Sequence, residues 1–210
     1  EIEPLQGRHT MTIASRIRCL AISFLLLLPA SLPAQQLQLT LDPARTTIDW
    51  TLGATLHTVK GTFKLKSGTI LFDPNTGNAS GEIVVDATSG QTDNQSRDNK
   101  MHNEVLESKR YPQITFLPQH IVGKFDDKGA SNLQVQGVFR IHGADHDMTL
   151  AMAVQAKGSD VTATSDFNIP YQAWGIKNPS TLFLKVDNYV EIKIAAAGKL
   201  TPAGSAATGK

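Results

Sequence analysis

Three clusters of residues in this 210-residue sequence have the types and spacing to do chemistry. His142 and His146 stand four apart beside Asp145 and Asp147. On a helix that spacing puts two imidazoles on one face; at a hairpin it puts them on the two shoulders of a turn. A working metal site needs three or four converging ligands, and no third lies nearby in sequence, so a polar turn in solvent is the alternative. The second cluster is SRDNKMHNEVLESKRYPQITF, Ser96 to Phe116, which concentrates Arg97, Asp98, Lys100, His102, Glu104, Glu107, Lys109 and Arg110. Arg97 has the guanidinium geometry of a phosphate partner. Asp98 and His102 would meet on a short helix, as an acid–base pair or as a cap with a local ion pair. No nucleophile accompanies them. The third cluster, Asp166, Asn168, Tyr171 and Trp174 around Pro170, is either a gate at a rim or a packed corner with Trp174 as its plug. A small enzyme or metal site would have to be assembled from His102, His142 and His146.

The elements that carry these residues read as strands. TIDWTL (47–52) alternates, with Ile48, Trp50 and Leu52 on one face. In GTFKLKSGTILF, Phe63 and Leu65 oppose Lys64 and Lys66, and Gly68 signals a bulge or bend. DPNTG is a turn by composition. GEIVVDATS places Ile83 and Val85 together; QITFLPQHIVGKF contains Phe116, with Pro118 as a bulge or edge signal. LQVQGVFRIH groups Leu133, Val135, Phe139 and Ile141 before the turn GADHD. MTLAMAVQA groups Met148, Leu150, Met152 and Val154; VTATSDFNI contains Phe167; YVEIKIAAAG groups Val190, Ile192 and Ile194. Eight short strands joined mostly by hairpin-length turns predict an all-β, up-and-down antiparallel barrel. One helix is expected, Lys100 to Ser108, capped by Asp98 and ended ahead of Pro112. A barrel of this size is either filled by its own side chains or holds one small ligand.

The front of the chain sets expectations about compartment. After Met11 come Arg16 and Arg18, the ten-residue apolar run Cys19 to Leu28, and PASLPA. This has the form of a cleaved secretory signal peptide and is too short to span a bilayer, which takes about 20 apolar residues. We assign residues 1–10 to an over-extended start, 11–34 to the signal peptide with cleavage after Ala34 or else Ala30, 35–200 to the domain and 201–210 to a disordered tail. The lone cysteine, Cys19, leaves with the leader, so disulfides and thiol chemistry are excluded from the remainder. The leader also takes Arg8, Arg16, Arg18, Glu1 and Glu3 from totals of 20 basic and 19 acidic residues. The remaining 176 residues are formally neutral, which argues against nucleic-acid binding. No phosphate-binding Gly-rich loop, nucleophile elbow or metal-hydrolase motif is present in the sequence.

The succession DPARTTIDWTL, HTVKGTFKLKSGTILFDP, SGEIVVDATSGQTDNQSRD, LESKRYPQITF, VQGVFRIHG and YVEIKIAAAG resembles the YceI-like family of periplasmic, lipocalin-like, lipid-binding proteins, from about Leu41 to Leu200. The pairing of V-x-G-x-F with a later R-D and YP-x-I-x-F carries the likeness; Met101-His102 replaces the commoner His-Leu after Arg-Asp. The resemblance implies an eight-stranded barrel with a helical lid, holding a long apolar chain such as a polyisoprenoid, an isoprenoid quinone or a fatty-acid-like amide. It implies no catalysis and no cofactor beyond that lipid. The expected ligand-binding residues are Trp50, Phe63, Leu65, Ile83, Val85, Met101, Phe116, Phe139, Ile141, Met148, Leu150 and Phe167, with Arg97 and His102 at the mouth. A periplasmic location without stable membrane insertion is expected, and a homodimer is left open, as is a filled barrel acting as a stress-response or interaction module.

Overall fold

Alternating apolar and polar residues form nine strands in the computed structural model, which describes residues 36–181 and 184–204. The strands are β1 (Leu37–Leu41), β2 (Thr47–Leu52), β3 (Val59–Phe72), β4 (Ala79–Gln91), β5 (Gln113–Val122), β6 (Ala130–Ile141), β7 (Ala144–Lys157), β8 (Asp160–Ile169) and β9 (Val190–Pro202). Eight of them, β2 to β9, close an antiparallel barrel in chain order, with β9 returning to β2. Closure leaves those strands without open edges. The expected barrel is thus the observed one, with one strand added.

That strand, β1, lies in line with β2. Leu39 pairs with Ile70 and Leu200, while Ile48 pairs with Phe63 and Ile194, so both strands fill the gap between β3 and β9, one beyond the other. A single 3₁₀ turn, Pro43–Arg45, separates them. Asp42 Oδ1 accepts from Ala44 N at 2.9 Å, and Pro43 occupies the first helical position, where no donor is needed.

Register explains which side chains face inward. One cross-strand row runs Ile83, Phe116, Phe139, His146 across β4 to β7. A second runs Phe167, Ile192, Trp50, Gly61 across β8, β9, β2 and β3. Register shifts between Leu65 and Ser67, and between Pro118 and His120, mark bulges that keep apolar residues on the inner face of long strands. The proline signal at 118 therefore stands, and the bulge near Gly68 sits just before it.

The β6–β7 hairpin turns on His142-Gly143, whose φ values of 52° and 78° are those of a type I′ turn. The expected turn GADHD is thus shorter: Asp145 and His146 already belong to β7, and His146 continues the inward series of Met148, Leu150 and Met152.

The connections at the two ends differ. At one end are the short turns 73–78 and 158–159 and the loop 123–129; at the other are 53–58, the helical segment 92–112, the two-residue turn 142–143 and the long loop 170–189. The helix α1 is Gln95–Lys100, continued by a π-turn over Met101–Val105. It starts five residues earlier than expected, and its cap is Asn94, whose Oδ1 accepts from Arg97 N at 3.0 Å. Asp98 is inside the first turn and reaches back instead to Thr92, accepting from its N at 2.9 Å and its Oγ1 at 2.7 Å. β9 extends to Pro202, so the first two residues assigned to the tail are strand. The assigned signal peptide, residues 1–10 and 205–210 lie outside the described residues.

Candidate functional site

The barrel interior is one continuous apolar cluster. Ile48, Trp50, Leu65, Ile114, Phe116, Phe139, Ile141, Leu150, Ile169 and Ile192 are among its buried members, and Phe63, Ile83, Val85, Met148, Met152 and Phe167 pack against them while remaining only half-buried. Those six point inward by register yet keep accessible surface. Among the described residues, no large side chain is fully buried. A barrel packed solid by its own side chains would bury its central residues completely, whereas these six stay half-buried.

The end with long connections is roofed by two segments. On the helical segment, Met101, Val105 and Leu106 pack onto the interior cluster. Gly90 admits them: a Cβ there would lie 2.5 Å from Phe63 Cε1 and 3.0 Å from Met101 Cε. On the loop between β8 and β9, Tyr171 and Ile176 are buried and Trp174 is half-buried against the same cluster. Tyr171 Oη donates to Asp187 O at 2.5 Å, and burial pushes its phenol pKa up. The two roof segments are joined by Lys177 Nζ to Glu104 Oε2 at 2.7 Å and Lys100 Nζ to Pro179 O at 3.0 Å. Among the described residues no helix is long and apolar enough to cross a membrane.

The YceI-like domain matches residues 39–197 of this chain. The chain belongs to the YceI-like family. Its barrel is similar to that of BcnA from Burkholderia cenocepacia (19% identity, TM-score 0.61, covering 75% of this chain and 98% of that one). It is also similar to a polyisoprenoid binding domain from Saccharophagus degradans implicated in plant cell wall breakdown (12%, 0.60, 78% and 98%). A third likeness is to the YceI protein of Campylobacter jejuni (20%, 0.54, 69% and 86%). At these identities the likeness is one of fold. No curated protein matches the chain.

In this YceI-like barrel all twelve apolar residues expected to bind ligand fall within the interior cluster: Trp50, Phe63, Leu65, Ile83, Val85, Met101, Phe116, Phe139, Ile141, Met148, Leu150 and Phe167. The two polar ones fare differently. His102 is engaged on both sides, Nδ1 with Ser108 Oγ and Nε2 with Gly90 O, each at 2.8 Å. It fastens the helical segment to β4 and does not meet Asp98. Arg97 is half-buried one turn before Met101, and its guanidinium makes no hydrogen bond or ion pair among the described residues.

The three histidines of the enzyme or metal reading are not brought together. His142 lies on the Tyr111 ring, centroids 4.5 Å apart, with Glu107 3.7 Å from its Nε2. His146 points inward and stacks on Trp174, with centroids 4.0 Å apart and planes 7° from parallel. Among the described residues, no three His, Cys, Asp or Glu side chains converge on a point that could hold a metal ion.

Trp174 is therefore a plug as well as part of the roof; it also lies 5.8 Å from Phe139. Sequence reasoning assigned His146 to a solvated turn. The signal that would have placed it was the alternation of 146, 148, 150 and 152, once the turn is recognised as His142-Gly143.

Proposed function

We propose that this YceI-like barrel is a periplasmic carrier or reservoir for a long-chain apolar lipid, acting by binding and not by catalysis. The observation that carries this reading is the inner wall: apolar on every strand, closed all round, and still partly accessible. Each buried CH₂ of a lipid tail contributes about 0.8 kcal/mol, so a polyisoprenoid, an isoprenoid quinone or a long-chain amide would gain its affinity chiefly from the tail. The helical segment and the loop carrying Trp174 act as the lid, and the end they cover is the mouth. Arg97 is a cation of that lid whose guanidinium is unpaired among the described residues; His102 positions the lid. The description of the Saccharophagus degradans domain as polyisoprenoid binding supports this ligand class. The leader-like residues 11–34 support export.

The test is extraction. Protein purified without detergent from its own cells is treated with organic solvent, and the extract is analysed by mass spectrometry. A long-chain lipid near one per chain is expected. A clean extract, together with failure to take up any long-chain lipid in vitro, overturns the proposal.

A further inference from the structure

The inner wall does not stop at the rim. β2 alternates through Ile48, Trp50 and Leu52, and the same alternation runs on to Ala54 and Leu56 in the connection that follows. There the chain pairs with the loop before β9. Ala54 forms an isolated bridge with Val186; Thr55 N donates to Lys185 O and Asp187 N to Gly53 O, both at 2.9 Å. Between this bridge and the main ladder, residues 187–190 lie opposite 52–53, so the β9 side bulges. The result is a short two-stranded lip at the mouth end of the barrel.

The apolar residues of this lip are wet. Among the described residues the exposed large hydrophobic side chains are Leu56 at 79%, Tyr189 at 44% and Val122 at 44%. The first two are on the lip, whereas Val122 is at the opposite end of the barrel. Lys185 on the lip and Lys60 just beyond it, at the start of β3, are exposed and make no ion pair among the described residues. The lip's carboxylate, Asp187, is folded over Gly53, where a Cβ would strike it. An exposed leucine flanked by unpaired lysines suits a surface that is anionic outside and apolar just beneath, which is the make-up of a phospholipid leaflet. A stable protein interface covers about 800 Å² on each side, and two separate apolar side chains do not supply one.

We propose that the lip docks the mouth of the barrel on an anionic phospholipid bilayer, with Leu56 entering the acyl layer and Lys60 and Lys185 resting on lipid phosphates. This rests on the reading of the barrel as a lipid carrier and adds the surface where cargo is exchanged. Because the lip continues the inner wall, a tail leaving the leaflet passes from Leu56 to Ala54 and Leu52 with an apolar face beside it throughout. Contact through one leucine and two lysines is weak, so the protein detaches readily.

The experiment is titration of the full protein with vesicles of phosphatidylethanolamine and phosphatidylglycerol. Leu56→Asp should weaken binding by about tenfold. Lys60→Gln and Lys185→Gln should each weaken it by about fivefold, and salt should do the same. Since Leu56 is on the surface, these variants should melt like the unmodified protein. Leu56→Trp should be quenched by vesicles with brominated acyl chains beyond the quenching of the unmodified protein, and Val122→Trp should not. Absence of binding, binding undiminished in Leu56→Asp, or quenching at 122 in place of 56 overturns the proposal. So does a dimer in sedimentation that Leu56→Asp dissolves, because the lip is then a contact between two copies. The titration needs no cargo, so its failure is distinct from failure of the carrier reading, which the solvent extract decides.

Discussion

Lys177 Nζ lies 2.7 Å from Glu104 Oε2, joining the loop between β8 and β9 to the π-turn of the helical segment. The pair bridges the two halves of the roof at their surface. The ammonium hydrogen-bonded to Glu104 holds its carboxyl below the ordinary value of 4.5. A carboxylate with a depressed folded pKa stabilises above its unfolded pKa and stops doing so as pH falls through the folded value. Release of a bound fluorescent lipid should therefore be flat near neutrality and accelerate only at pH below the ordinary glutamate range. Glu104→Gln should release faster near neutrality and lose that acid acceleration. An unchanged release rate in the variant would mean that this tie does not gate the mouth.

Val85 tests whether the lumen is open. It faces inward from β4 and is half-buried. In a filled barrel Val85→Phe would overpack and destabilise by about 1–3 kcal/mol. With open space beside it, the ring should be accommodated with little change in denaturant midpoint, while lipid capacity falls. Unfolding titrations and lipid uptake on the same sample decide between the two.

His102 should matter for stability and little for ligand preference. His102→Ala removes the partners of Gly90 O and of Ser108, which is 3% exposed. Such losses cost about 1–3 kcal/mol, or about 2–4 °C in melting temperature per kcal/mol for a domain of this size. Hydrogen exchange should rise in the helical segment, and the ranking of ligands should stay the same.

Gly61 is held to glycine by Trp50. A Cβ at Gly61 would lie 2.4 Å from Trp50 Cζ2 and 2.4 Å from Gln91 O. Gly61→Ala should cost about 1–3 kcal/mol and displace the indole, which tryptophan fluorescence of a Trp174→Phe background would report.

Much of this fold is written in period-two alternation. The faces of Ile48 to Leu52, Leu133 to Ile141 and Met148 to Val154 follow directly from it, because a closed barrel buries one face of every strand. β1 escaped notice because LQLTL is only five residues long and lies beside the segment assigned to a signal peptide. The helix start was misplaced because Asn94 and Asp98 are both good caps; Thr92 claims Asp98 and leaves Asn94 to cap. The apolar wall could be read residue by residue, since it needs only local pattern. The roles of His102, His146 and Trp174 could not, since each depends on a partner brought close by ring closure: Gly90 for His102, and the loop of Trp174 for His146.

β9 pairs with β8 on one side and with both β2 and β1 on the other. Every ladder that completes the ring therefore waits for β9, and the joining pairs, such as Thr47 with Ala195, lie far apart in sequence. Contacts so distant in sequence form slowly. Until residues 190–202 are in place there is a curved sheet with one wet apolar side and no enclosed volume. For this barrel, docking β9 and acquiring an inside are the same event.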